Sequence, residues 1–76
     1  MKDLLEFLTR ALVEDPDSVR VEEIEEDGDL VYEISVADDD LGRVIGRNGR
    51  VANALRAVAK AAAVKLERRV IVDILD

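Results

Sequence analysis

Seventy-six residues with a net charge of −7, no cysteine and no histidine suit one small domain, spanning residues 1–76, whose core must be thin: a chain this short buries roughly 60% of the surface its unfolded form exposes. The missing residue types exclude a disulfide frame, a thiolate or imidazole metal site and any Ser-His or Cys-His nucleophile pair, so the expectation is not an enzyme. No wholly apolar run exceeds Ala61–Val64, far short of a membrane span, and Met1-Lys2-Asp3-Leu4 does not read as a signal peptide, which leads to the expectation of a cytoplasmic protein.

In chain order, Asp3-Leu4-Leu5-Glu6 opens a predicted helix, with Asp3 as N-cap and Glu6 three residues on. Leu4, Leu5, Leu8, Ala11 and Leu12 recur at helical spacing as one apolar stripe, and Pro16 terminates the segment. Val19 to Glu26 is β-branched and charged and predicts a strand. Ile24 falls out of phase with Val19 and Val21, which suggests a bulge near Glu22. Asp27-Gly28 is a tight-hairpin signal, followed by a strand with Leu30, Tyr32, Ile34 and Val36 on one face. Asp38-Asp39-Asp40 then makes an acidic cap for a short helix, Leu41 to Ile45. Gly46-Arg47-Asn48-Gly49 interrupts it. A longer helix starts at Arg50, with Val51, Ala52, Leu55, Val58, Ala59 and Ala62 on one face and Arg50, Arg56 and Lys60 turned away. Arg69 to Leu75 closes as a strand with Val70, Val72 and Ile74 inward.

Charge is segregated along this order. Residues 1–40 carry fifteen carboxylates against three basic side chains, and residues 41–76 carry eight basic side chains against three carboxylates. Between Leu41 and Arg69 the only acid is Glu67. A basic face on an acidic body decides partners more than the sum does.

The chemistry concentrates in Val44-Ile45-Gly46-Arg47-Asn48-Gly49-Arg50. Two glycines three apart let the chain reverse and remove side chains where another backbone must approach. The helix that follows offers its free N–H groups and positive dipole end there, and Arg43, Arg47 and Arg50 add charge of the same sign. Such a loop suits a phosphodiester backbone clamped through its phosphates.

Ile45-Gly46-Arg47-Asn48-Gly49 resembles the Ile-Gly-x-x-Gly signature of KH domains, and the helix-strand-strand-helix-helix-strand order resembles the type II arrangement. The resemblance covers essentially the whole chain and is greatest to the small stand-alone bacterial KH proteins of the KhpA type. It implies an α+β fold, a three-stranded sheet with helices packed on one face, and binding of single-stranded RNA by a chaperone-like regulator. It also implies pairing as a homodimer or with a larger KhpB-type KH protein, and a link to cell-wall biogenesis and cell shape. Gly46, Arg47, Asn48 and Gly49 take the phosphate-clamp positions, Ile45 the apolar position before them, with Arg43 and Arg50 flanking. Ala52 stands where many KH domains carry a large aliphatic residue, which implies a shallower or differently shaped groove. Neither aromatic, Phe7 or Tyr32, lies in the basic half.

Other readings of the same residues are weaker. Gly42-x-x-x-Gly46-x-x-Gly49 lacks the Gly-x-Gly pair of a dinucleotide fold, and no Gly-Lys-Ser/Thr completes a P-loop. Caps and turns account for Asp38-Asp39-Asp40 and Asp27-Gly28-Asp29 without a metal: Gly49 stands where a calcium loop counted from Asp38 needs its glutamate. No cofactor or small-molecule substrate is implied. Glu22-Glu23-Ile24-Glu25-Glu26 reads as a solvated edge that discourages strand pairing, or as a docking face for a basic partner. Arg68-Arg69 either extends the basic surface or neutralises nearby acids. A protein-interaction scaffold with weak or lost RNA binding is the competing functional class.

Overall fold

A computed structural model of the chain describes residues 1–76. Lys2–Leu12 form the first helix (α1), Arg20–Glu26 and Asp29–Ser35 a hairpin (β1, β2), Leu41–Ile45 a short helix (α2), Arg50–Ala63 a long one (α3) and Val70–Ile74 the last strand (β3). The sheet order is β1-β2-β3, with β1 antiparallel and β3 parallel to β2. This is the α+β order and three-stranded sheet that the sequence predicts. The parallel β2–β3 pair needs a crossover, and α2 and α3 supply it. No helix is long and apolar enough to cross a membrane.

Alternation along the strands decides which side the helices cover. Val21, Leu30, Tyr32, Ile34, Val70 and Val72 are buried, and they form one cluster with Leu5 of α1 and Ala59 and Ala63 of α3. The alanines let α3 lie close to the sheet. Burial pushes the Tyr32 hydroxyl up to about 12, helped by the bond it donates to the Glu23 carboxylate.

Four local expectations change. The first helix starts at Lys2 behind Met1, with no side-chain cap. Starting two residues earlier lets Leu5 donate its N–H to the Met1 carbonyl (3.1 Å), while Met1 packs on the core, and Glu6 pairs instead with Lys2 and Arg10. The α1 stripe is split: Leu5 and Thr9 are buried, Thr9 donating its hydroxyl to the Leu5 carbonyl at 2.7 Å. No bulge interrupts β1, which pairs residue for residue from Arg20↔Ser35 to Glu26↔Asp29. Ile24 is out of phase because it sits on the other face, opposite Val31, which in turn neighbours Ile71. On α3 the buried residues are Ala52, Leu55, Ala59 and Ala63, whereas Val58 is 41% exposed. Val51, Ala54 and Val58 face Leu8, Ala11 and Leu12 of α1 across a wholly apolar groove of about 250 Å³.

The hairpin turn is as predicted: Asp27 and Gly28 both have positive φ, 50° and 85°, which matches the right-handed twist of the flanking strands.

Candidate nucleic-acid interface

α2 ends when the Gly46 N–H closes its last turn on the Gly42 carbonyl at 2.9 Å. Gly46 then leaves the helix at φ 76°, ψ 173°, a region essentially confined to glycine. A Cβ there would lie 2.8 Å from the Val51 nitrogen and against the Val51 side chain. Asn48 (φ 56°, ψ 27°) and Gly49 (φ 75°, ψ 14°) follow in the left-handed region, which asparagine tolerates better than most residues. The Gly49 N–H donates to the Gly46 carbonyl at 3.2 Å, so the loop is a hydrogen-bonded turn that hands the chain to α3 at Arg50.

The two glycines thus act differently. Gly46 permits the close approach of α3, whereas a Cβ on Gly49 would meet nothing within 4 Å. Crowding belongs to the first glycine. The open flank of the second leaves room for a ligand backbone. The Arg50 N–H donates to the Arg47 carbonyl, but no side chain caps α3, so the N–H groups that follow in its first turn keep free hydrogen-bonding capacity beside that opening.

Ile45, Arg47, Asn48 and Arg50 are exposed at this turn and Gly46 and Gly49 partly so. Arg47 and Arg50 form no ion pair, whereas Arg43 is held between the Glu14 carboxylate (2.7 Å) and Asp40 (3.2 Å). The Asp40 carboxylate is buried, 3% exposed, and does not cap its own helix. It accepts the backbone N–H groups of Glu14 (3.1 Å) and Asp15 (3.0 Å). Those bonds, chiefly the one from Glu14, together with Arg43, hold its carboxyl below its ordinary value despite burial. Asp40 thereby fastens the α1–β1 connection to the start of α2.

A second set of cations lies along the edge strand β3. Arg56, Lys60 and Arg69 line a surface groove of about 340 Å³ with Val70, Ile71 and Val72. Arg56 folds back to donate its Nε–H to the Val72 carbonyl (3.3 Å), so it covers the edge of β3 rather than standing clear of it. The expected sites in the sequence omit this groove. Its signal was the run of bases on one side of α3 followed by Arg68-Arg69. Those two arginines divide the work left open between them: Arg68 is tied to the Gly28 carbonyl and Glu25, while Arg69 stays largely exposed, its nearest carboxylate being Asp29 at 4.0 Å. Ala52 is buried and does not line the groove.

Comparison with known proteins places this geometry among relatives. Residues 2–74 match the family described as KhpA/KhpB, KH domain. The RNA-binding protein KhpA of Halalkalibacterium halodurans is 53% identical over 76 residues, covering all of both chains. The RNA-binding protein KhpA of Clostridium acetobutylicum is 48% identical over 75 residues, 99% of this chain and all of its own. The RNA-binding protein KhpA of Aquifex aeolicus is 42% identical over 76 residues, all of this chain and 96% of its own.

Proposed function

Because this chain belongs to the KhpA/KhpB KH-domain family, we propose that it binds single-stranded RNA by clamping the phosphate backbone on the turn from Gly46 to Arg50. The observation that carries this is the open flank of Gly49 beside two guanidiniums, Arg47 and Arg50, that no carboxylate engages. Phosphate oxygens accept from the first-turn N–H groups of α3 and from the Asn48 amide, where the helix dipole favours negative charge. Arg47 and Arg50 supply charge, and the exposed Ile45 offers an apolar contact to a ribose or base. Arg43 shares its charge with Glu14 and Asp40, so its role is to hold the end of α2 in place more than to neutralise phosphate. The bases then lie toward α3 and β3, where Arg56, Lys60 and Arg69 line the groove. With no aromatic platform there, binding leans on backbone contacts and shape, which suits a cytoplasmic RNA chaperone acting on many sequences. The function is binding, with no cofactor and no chemical step.

One domain holding about four nucleotides binds weakly, and pairing raises avidity without new contacts per domain. The apolar groove between α1 and α3 is where a second KH domain docks, as a homodimer or from a larger KhpB-type protein.

The test of RNA binding replaces Arg47 and Asn48 together by aspartate. Both glycines remain, and Asp tolerates the left-handed conformation of position 48, so circular dichroism should be unchanged. Affinity for single-stranded RNA should fall by tenfold or more in anisotropy titrations. If fold and affinity both match the parent chain, the loop is only a turn and the interaction scaffold becomes the function.

A further inference from the structure

The face of the sheet that no helix covers has an ordered pattern across the strands. Because Val21, Tyr32 and Val72 point into the core, their alternating neighbours point the other way. The register aligns Glu22, Glu33 and Asp73 in one row across all three strands, and Ile24, Val31 and Ile71 in the next. Glu26 and Asp29 form a third. Rows two residues apart along a strand are about 6.7 Å from each other, so the acidic rows stand about 13 Å apart with the aliphatic row midway.

Carboxylates directly opposite one another across strands destabilise a sheet. No cation relieves the first row: every ion pair in the molecule involves other acids. Arg20, the only basic residue of β1, turns its guanidinium to the carbonyls of Asp17 and Val19. In the third row Arg69 approaches Asp29 only at 4.0 Å, and Glu26 has no partner. The aliphatic row, partly exposed, has no cover within the chain.

The geometry points to this open face as a docking surface for a basic protein segment that carries aliphatic side chains. Lysine or arginine side chains meet the two acidic rows, and an aliphatic side chain lies on Ile24, Val31 and Ile71. An extended segment in which cation, aliphatic and cation alternate with small residues has the same 6.7 Å pitch. Charge selects among occupants. RNA would bring phosphates to carboxylates, and a second copy would bring this acidic face to itself. A metal ion fits no better, since no three acidic side chains gather closely enough to ligate one. The surface lies across the sheet from α3 and the glycine turn and meets the cationic groove only along the β3 edge, at Arg69 and Ile71, so a segment centred on β1 and β2 leaves the glycine turn open to RNA.

The test is an NMR titration of the isotopically labelled full chain with the synthetic peptide Lys-Ser-Ile-Ser-Lys-Ser-Ile-Ser-Lys. Expected amide shifts centre on β1, β2 and β3 at Glu22, Ile24, Val31, Glu33, Ile71 and Asp73. The same peptide with serine for isoleucine should bind about fivefold more weakly. The triple variant Glu22→Gln, Glu33→Gln, Asp73→Asn should bind the first peptide at least tenfold more weakly, melt no lower than the parent and keep its RNA affinity within twofold. Val31→Thr, which keeps the side-chain shape, should weaken the aliphatic peptide alone. Equal binding of both peptides, or shifts spread over Asp38, Asp39 and the acids of α1, would mean diffuse charge attraction and overturn the proposal. So would a lower melting temperature in the triple variant, the Glu22, Ile24, Val31 and Glu33 amides moving with oligouridine, or self-association that the triple variant abolishes.

Discussion

At position 46 a Cβ atom would press on the backbone of Val51, and the φ, ψ pair is one that other residues hardly populate. Strain of that kind costs about 1–3 kcal/mol, and the overpacking adds about 1–3 kcal/mol more. Gly49 has open space and an ordinary left-handed conformation, so alanine there should cost about 1–2 kcal/mol. Asn48 already tolerates its positive φ, and glycine should be near neutral there. Urea denaturation should therefore rank Gly46→Ala well below Gly49→Ala, with Asn48→Gly close to the parent. A Gly49→Ala chain as unstable as Gly46→Ala would contradict the geometry. Asp40 makes a second prediction at this scale. Its carboxyl titrates below the ordinary 3.8 in the folded state, so the stability it contributes is complete above that value and is lost as pH falls through the lowered one. Asp40→Asn removes this dependence. The gap in melting temperature between parent and variant should be widest near pH 6 and narrow steadily below pH 4; a gap that does not change with pH would show that the charged form adds nothing.

Elements were legible where the signal is local. The Asp27-Gly28 turn, the start of α3 at Arg50 and the glycine turn before it all follow from backbone freedom at particular residues, which a sequence displays directly. What a sequence does not display is which of two partners an apolar residue faces. Val58 and Ala59 share the helical stripe, yet Ala59 meets the sheet and Val58 meets α1. Ile24 breaks the phase of β1 because apolar residues of β2 and β3 on the opposite face receive it, and their register is set by pairing 7 residues away for Val31 and 47 for Ile71. Asp40 looked like a local cap because its true partners, Glu14 and Asp15, are 26 and 25 residues distant. The same limit hid the groove lined by Arg56, Lys60 and Arg69, which exists only once β3 returns beside α3. The α1–α3 groove carries the prediction at this scale. Leu8, Leu12 and Val58 leave apolar surface facing solvent, and burying it against a second domain stabilises a pair by about 25 cal/mol per Å² removed from water. Val58→Glu places a charge there on an exposed helical position, which the fold tolerates. Sedimentation equilibrium should show the parent chain associating with rising concentration and the variant shifted at least tenfold toward monomer. A parent chain that stays monomeric at every concentration, with no larger KH partner recovered, would remove pairing from the function.

Across the whole molecule charge is sorted along the chain, with a row of acids left unpaired on the open sheet face, and this fixes how salt acts on two properties at once. Fifteen carboxylates lie in residues 1–40 and eight basic side chains in residues 41–76, and the carboxylates of Glu22, Glu33 and Asp73 are aligned without cations among them. The Debye length is about 10 Å at 0.1 M salt, comparable to the spacing of the acidic rows, so added salt relieves repulsion in the folded state. The few ion pairs that it also weakens are exposed, apart from the one on Asp40, and exposed pairs are worth little. Melting temperature should rise by a few degrees between 50 and 200 mM sodium chloride. RNA binding should move the opposite way. If about three phosphates are neutralised at the turn, each contributing roughly −0.7, log affinity falls with log salt at a slope near −2, about a sixteenfold loss over the same interval. The Arg47→Asp, Asn48→Asp chain should show the same rise in melting temperature with a flatter binding slope, because its acidic face is untouched and its clamp is not. Thermal melts and RNA titrations across one salt series measure both quantities on the same preparation. A melting temperature that falls with salt would mean that attraction between opposite charges, not repulsion among the aligned acids, dominates the folded state. An affinity that does not change with salt would mean that the RNA is held by something other than its phosphates.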